Sequence, residues 1–320
     1  MSTHSQAQTS QPQSQAQAQT QPPTQPPTQT QPPTQTQSPA QARPLALRPA
    51  TGARRLVTAG PTVVLSALVL LLALAWALAP ELFTSFSPTA SAGPSLQAPS
   101  GDHWFGTDAT GRDVFSRVVH GASHSITAAI VAVTVGLVVG TTIGVIAGAV
   151  GGLVEEALMR VVDVLLAIPG LLLSLSVVIL LGFGTTNAAI AVGITSIATF
   201  ARLSRSRVLA VRQSEYVEAA FGSGGTLPAI LWRHILPNSA APVIALAALQ
   251  LGSAILQIST LGFLGYGAPP PTPEWGLLIS EGRDYVATAW WLTLLPGLVV
   301  AAVVLSTNRL SNAIGKREQA

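Results

Sequence analysis

From residue 61 onward the chain alternates long uncharged apolar runs with short polar segments, a pattern that predicts membrane-spanning helices rather than a soluble core. The first run, Pro61 to Ala79, is just long enough at about 1.5 Å per residue to cross a hydrocarbon core of about 30 Å. Ser125 to Val154 contains no Asp, Glu, Lys or Arg and exceeds one perpendicular span, so it should tilt or protrude. Val164 to Ala201 is too long for one helix, and Gly182, Gly184, Thr185, Thr186 and Asn187 divide it into two spans. Ala240–Leu264 and Val286–Asn308 follow. The expected class is therefore all-α, a polytopic membrane protein with six transmembrane helices.

The polar segments set the remaining boundaries. Residues 1–42 are built from Gln, Pro, Thr, Ser and Ala with no Asp, Glu, Lys or Arg, and predict a disordered tail that buries too little apolar surface to fold. Residues 43–80 comprise an arginine-bearing juxtamembrane segment and the first span; residues 81–124 form a loop; residues 125–309 form a core of five spans containing a polar loop at 202–238; residues 310–320 are a second tail. In the long loop, Asp113 to His120 reads as a short amphipathic helix. Asp102, His103, Asp108 and Asp113 lack fixed ligand spacing, which favours an internally salt-bridged loop over a metal site.

Inside the spans, Gly136, Gly140, Gly144 and Gly148 recur every fourth residue and predict a bare stripe for close helix packing. Arg160 and Asp163 stand one turn apart, at a spacing suited to an ion pair near the membrane border, and Pro169 should kink the helix that follows. Between the fourth and fifth spans lies a polar island, Ser214 to Asn238. It reads as a helix over Glu215–Phe221, a glycine break at Gly222, Gly224 and Gly225, and a second helix entered at Thr226 and stopped by Pro237. Its charges place it at the membrane surface.

Composition narrows the function. Hydrophobic residues make up 48% of the chain and charged residues 9%, with a mean hydropathy of +0.49, which excludes a typical soluble domain. The absence of cysteine removes disulfides, thiolate metal sites and a cysteine nucleophile. A pI near 9.9 invites comparison with nucleic-acid binders, yet the basic residues are dispersed and form no stripe, so no nucleic acid is expected. Membrane topology explains them better. With a cytoplasmic N-terminus, thirteen of the sixteen Lys and Arg fall on the inner side, leaving only Arg112, Arg117 and Arg283 outside. Both termini are then cytoplasmic. No phosphate-binding G-x-x-x-x-G-K-[ST] and no H-E-x-x-H occurs, so no catalytic, cofactor or metal-binding residue is expected and the chain is not an enzyme.

Several motifs carry a family resemblance. Glu218-Ala219-Ala220, Gly224 and Leu236-Pro237 resemble the EAA signature of ABC-transporter permease subunits. The runs Gly106–Asp108 and Gly111–Arg117, the segment MRVVDVLLAIPG around Arg160, Asp163 and Pro169, and the stretches Phe263–Gly276 and Ser280–Val286 resemble the C-type permeases of oligopeptide, dipeptide and nickel importers. The resemblance implies a type I ABC importer permease fold, an inner membrane component of a binding-protein-dependent transport system in a prokaryote. It implies that Glu218, Ala219, Ala220, Gly224, Leu236 and Pro237 belong to a cytoplasmic element coupled to the ATPase. It also implies a second permease subunit, two ATP-binding subunits carrying ATP and Mg, an extracytoplasmic substrate-binding protein and surrounding membrane lipid as partners. Transport of peptides by alternating access would follow, with nickel complexes as the alternative cargo. The run Phe221-Gly222-Ser223-Gly224-Gly225 departs from the family pattern at the centre of the coupling element. Outside this family, an ion-gradient-driven secondary transporter using Asp163 is the competing expectation.

Overall fold

A computed structural model describes residues 61–318, and the tail expected over 1–42, with the arginines at 43, 48, 54 and 55, lies outside the described residues. Among the described residues there is no strand, only an isolated antiparallel bridge between Thr107 and Asp113. Helix α1 covers Pro61–Leu78. Helix α2 runs from Val114 to Val150, 37 residues, or roughly 55 Å. It absorbs the short helix expected over Asp113–His120. Asp113 is its N-cap, accepting the Ser116 N–H at 2.6 Å. The loop expected to last until residue 124 ends at Asp113, because nothing in Val119–Ser125 obstructs a helix. Gly121 lies inside the helix, where a Cβ would meet the Trp275 Cδ1 at 3.3 Å.

Helices α3 (Gly152–Ala167) and α4 (Gly170–Leu181) are bent by 97° at Ile168–Pro169. Ile168 is extended, as a residue before proline prefers, so the helix breaks rather than bends gently. After Gly182 and Gly184, both with positive φ, α5 covers Thr185–Arg212. Among the described residues five helices are long and apolar enough to cross a bilayer, and six if the bent pair counts as one span.

Helix α6 (Glu215–Gly222) and the single-turn α7 (Leu227–Ile230) follow. The expectation that Pro237 stops the second helix is corrected. The chain passes through a π-turn, Leu231–Ile235, and continues as α8, Leu236–Phe263. In that wider turn Leu236 donates to the Leu231 carbonyl, and the proline, which has no N–H, sits in the first turn of α8 where none is needed. Helix α9 (Trp275–Gly282) and α10 (Trp291–Glu318) complete the chain. The last span starts at Trp291 rather than Val286, because Arg283–Tyr285 forms a 3₁₀ turn and the Ala289 N–H returns to the Tyr285 carbonyl.

The glycine stripe lies along the most intimate packing in the molecule. A Cβ on Gly136 would stand 2.7 Å from the Ser196 Cβ, on Gly140 2.7 Å from the Phe200 Cβ, on Gly144 2.7 Å from the Ser204 Cβ, and on Gly148 2.8 Å from the Val208 Cγ1. The register is constant and rises with residue number on both helices, so α2 and α5 run parallel with their backbones in near contact. The main core joins α1, α2, α4 through Val178, α5, α8, α9 and α10. Helix α3 packs Val162 in a separate small cluster with Ala198 and Ala201 of α5, and α3 and α4 leave Leu153, Val164, Leu172 and Leu180 exposed.

Candidate functional site

The polar island folds into a compact element seated on the ends of α2 and α5. Val217 of α6, Ile230 of α7 and Ile235 of the π-turn are buried against Ala149 of α2 and Val208 of α5 in a small core of their own. Apolar burial at this spacing holds one face of the element and leaves the other free. The free face carries most of the residues singled out from the sequence. Glu218, Ala219, Gly224 and Pro237 are exposed, while Ala220 and Leu236 are partly covered. Glu215 and Glu218 occupy the first turn of α6, where the helix dipole favours negative charge.

The glycine-rich centre is a closed turn. The N–H groups of Ser223, Gly224 and Gly225 donate to the carbonyls of Ala219, Phe221 and Ala220 at 3.0, 2.9 and 3.1 Å. Gly224 has φ of +86°, open to glycine at little cost. A Cβ on Gly225 would meet the Ile230 Cδ1 at 2.9 Å. The departure from the family pattern therefore brings α6 and α7 close together.

Two further residues share this surface. Trp232 is 74% exposed, and Tyr216 is exposed with its ring edge-on to His234 at 6.4 Å. Sequence reasoning passed over both, although large aromatics in a polar loop are the usual anchors of protein interfaces.

The arginines of α5 tie this end together. Here the expected Arg160–Asp163 pair is corrected. Asp163 accepts from Arg202 at 2.5 Å, and Arg160, 78% exposed, lies 3.8 Å from Glu156 one turn earlier. Asp163 faces α5, where a longer-range cation is available, whereas Arg160 faces away from it. Arg205 donates through Nε to Glu155 at 2.6 Å, and Arg212 reaches the last carbonyls of α2.

At the opposite end, the four candidate ligands of the long loop are used otherwise. His103 Nδ1 lies 2.8 Å from Asp113. Asp108 takes charge-assisted bonds from Arg112 Nε at 2.7 Å and Arg117 Nη1 at 2.8 Å, and Arg117 also donates to Glu281 of α9 at 2.5 Å. Burial alone would raise the Asp108 pKa, but bonds from the Arg112 and Thr110 N–H groups and from their side chains hold it below the usual carboxylate value. Asp102 takes no part in these pairs.

Among the described residues Glu274 is the most deeply buried acid of this end. Its carboxylate is fully enclosed, accepts the Gly276 and Leu277 N–H groups at 2.9 and 3.0 Å, and lies 3.5 Å from the Ser125 hydroxyl. Burial pushes its pKa from 4.5 up to about 7 against the opposing pull of those bonds. The folded state then holds a proton that the unfolded chain releases above about 4.5, so this group's contribution to stability falls as pH rises from about 4.5 through 7. Thermal unfolding in detergent should show the wild type losing more stability between pH 5 and pH 8 than Glu274→Gln, and equal slopes would contradict the assignment.

Comparison with known proteins finds a family model, curated relatives and solved structures of similar fold. The family model described as binding-protein-dependent transport system inner membrane component matches residues 140–319. The dipeptide transport system permease protein DppC of Alkalihalophilus pseudofirmus is 38% identical over 236 residues, 74% of this chain and 78% of that protein. The glutathione transport system permease protein GsiD of Shigella flexneri is 44% identical over 222 residues, 69% of this chain and 72% of that protein. Among solved structures, that of an amino acid ABC transporter with histidines covers 63% of this chain and 94% of its own, with a TM-score of 0.50 and 14% identity, a likeness of fold alone.

Proposed function

The chain belongs to the family of inner membrane components of binding-protein-dependent transport systems, and from that premise we propose that it forms half of the passage through which an ABC importer moves small peptides. The chain is a permease subunit rather than an enzyme. ATP and Mg are bound by two partner ATPase subunits, a second permease subunit completes the passage, and an extracytoplasmic binding protein delivers the substrate.

The observation that carries this reading is the pairing of two features. The relatives of the chain along most of its length are named for dipeptide and glutathione transport. An exposed acidic helix with neighbouring aromatics is also seated on the closely packed α2–α5 pair. In the proposed orientation the arginine-rich end, with residues 202–238, faces the cytoplasm, where the ATPases are. Residues 81–113 and α9 face outward to the binding protein. ATP-driven closure of the ATPase pair would displace α6 and rock the spans between inward and outward openings.

The ion-gradient alternative gives way to the family assignment, and Asp163, its candidate carboxylate, is bonded to Arg202. Proteoliposomes containing the whole complex and its binding protein should accumulate tritiated glycyl-leucine only when ATP is supplied. A protonophore should leave that uptake unchanged. Uptake that ignores ATP and collapses with the protonophore would refute the proposal.

A further inference from the structure

Arg212 is the last residue of α5, and only Gln213 and Ser214 separate it from α6. Its Nη1 donates to the carbonyls of Ala149 at 2.9 Å and Gly148 at 3.3 Å. These belong to the last turn of α2, whose carbonyls lack helical N–H partners. A guanidinium there satisfies two of them and meets the negative end of the helix dipole. Glu155 at the start of α3, an acid beside the same turn, is bonded to Arg205. The root of the coupling helix is thus joined by a directional contact to a helix more than sixty residues earlier in the chain.

Besides the chain itself, which runs from α5 into α6 and from the π-turn into α8, the element is held to the spans by the small core of Val217, Ile230, Ile235, Ala149 and Val208. Apolar contact resists separation but is non-directional and tolerates sliding. A bonded cation at the helix end resists sliding as well. Resting on the permease reading above, we propose that Arg212 is a positioning residue for coupling. It clamps the end of α2 to the root of α6, so that displacement of α6 by the ATPases reaches α2 directly at this end as well as through α5.

The readout is the number of ATP molecules hydrolysed per glycyl-leucine imported, measured in proteoliposomes of the full complex. Arg212→Ala should copurify with the ATPases and keep binding-protein-stimulated hydrolysis. The ATP-to-peptide ratio should rise at least about fivefold, the lower end of ordinary coupling free energies. Arg212→Lys restores one cation without the planar fork and should give a ratio between wild type and Arg212→Ala. Three results would each overturn the proposal: an unchanged ratio, a parallel loss of hydrolysis and uptake, or loss of the ATPases on purification. The last two would assign Arg212 to folding or docking. Wild-type complex that takes up no peptide with ATP would instead defeat the permease reading, and then binding-protein-stimulated hydrolysis equal in wild type and Arg212→Ala, with unequal maleimide labelling of a single cysteine at Val138, would still support the clamp, and equal labelling would not.

Discussion

Glu218→Arg is expected to leave the chain in the membrane and abolish uptake by the assembled transporter. The residue is exposed on α6, whereas the contacts that seat the element are made by Val217, Ile230 and Ile235 on the opposite face. Replacing an acid in the first turn by a cation costs about 1 kcal/mol through the helix dipole, too little to unfold the element. At the docking surface proposed above, the same change sets a cation where the proposal has a carboxylate meeting the partner. Like-charge juxtaposition across an interface costs several kcal/mol. Uptake should therefore fall by about a hundredfold or more, with membrane content within twofold of wild type. Glycyl-leucine uptake with immunoblotting of the membrane fraction measures both, and normal uptake would remove Glu218 from the coupling surface.

The second large effect concerns the glycine stripe. Gly144→Leu adds a side chain where even a Cβ would lie 2.7 Å from the Ser204 Cβ and 2.8 Å from the Arg205 backbone nitrogen. The Arg205 nitrogen is main chain and cannot rotate aside, so α2 and α5 must separate. Overpacking in ordinary cores costs about 1–3 kcal/mol, and this site, where backbone meets backbone, should lie at or above the top of that range. The melting temperature in detergent should drop by several degrees or the protein should fail to accumulate. Gly297→Ala is the control, since nothing lies within 4 Å of its would-be Cβ. Equal melting temperatures for wild type and Gly144→Leu would mean that α2 and α5 do not pack as described.

The features visible in the sequence are those that repeat or depend on local chemistry. Gly136, Gly140, Gly144 and Gly148 announce a stripe by spacing alone, and the structure sets Ser196, Phe200, Ser204 and Val208 against it. Pro169 announces a break because its ring acts on its immediate neighbours. The α6 boundaries follow from Glu215 at one end and the glycines at the other.

What escaped was tertiary. Asp163 had a plausible partner at Arg160, but the cation it uses is Arg202, 39 residues away, brought near by helix packing that no local pattern encodes. Pro237 carried a stop signal that the π-turn before it circumvents. Glu274 and Trp275 sit in a proline-rich polar stretch, yet both are fully buried, because α9 folds back onto α2 and the Trp275 Nε1 donates to the Val118 carbonyl at 3.0 Å. The exposed aromatics Tyr216 and Trp232 were visible as letters, but which face they occupy depends on how α6 and the π-turn dock.

Everything proposed for this chain rests on α6 being the surface through which an ATPase subunit moves it. The chain contains no cysteine, so Glu218→Cys offers a single thiol for a photoactivatable crosslinker. In membranes holding the whole transporter, illumination should join the chain to the ATP-binding subunit, with a yield that changes when ATP is added. A thiol at 218 that labels fully yet forms adducts only with lipid, or with no protein, would contradict the account.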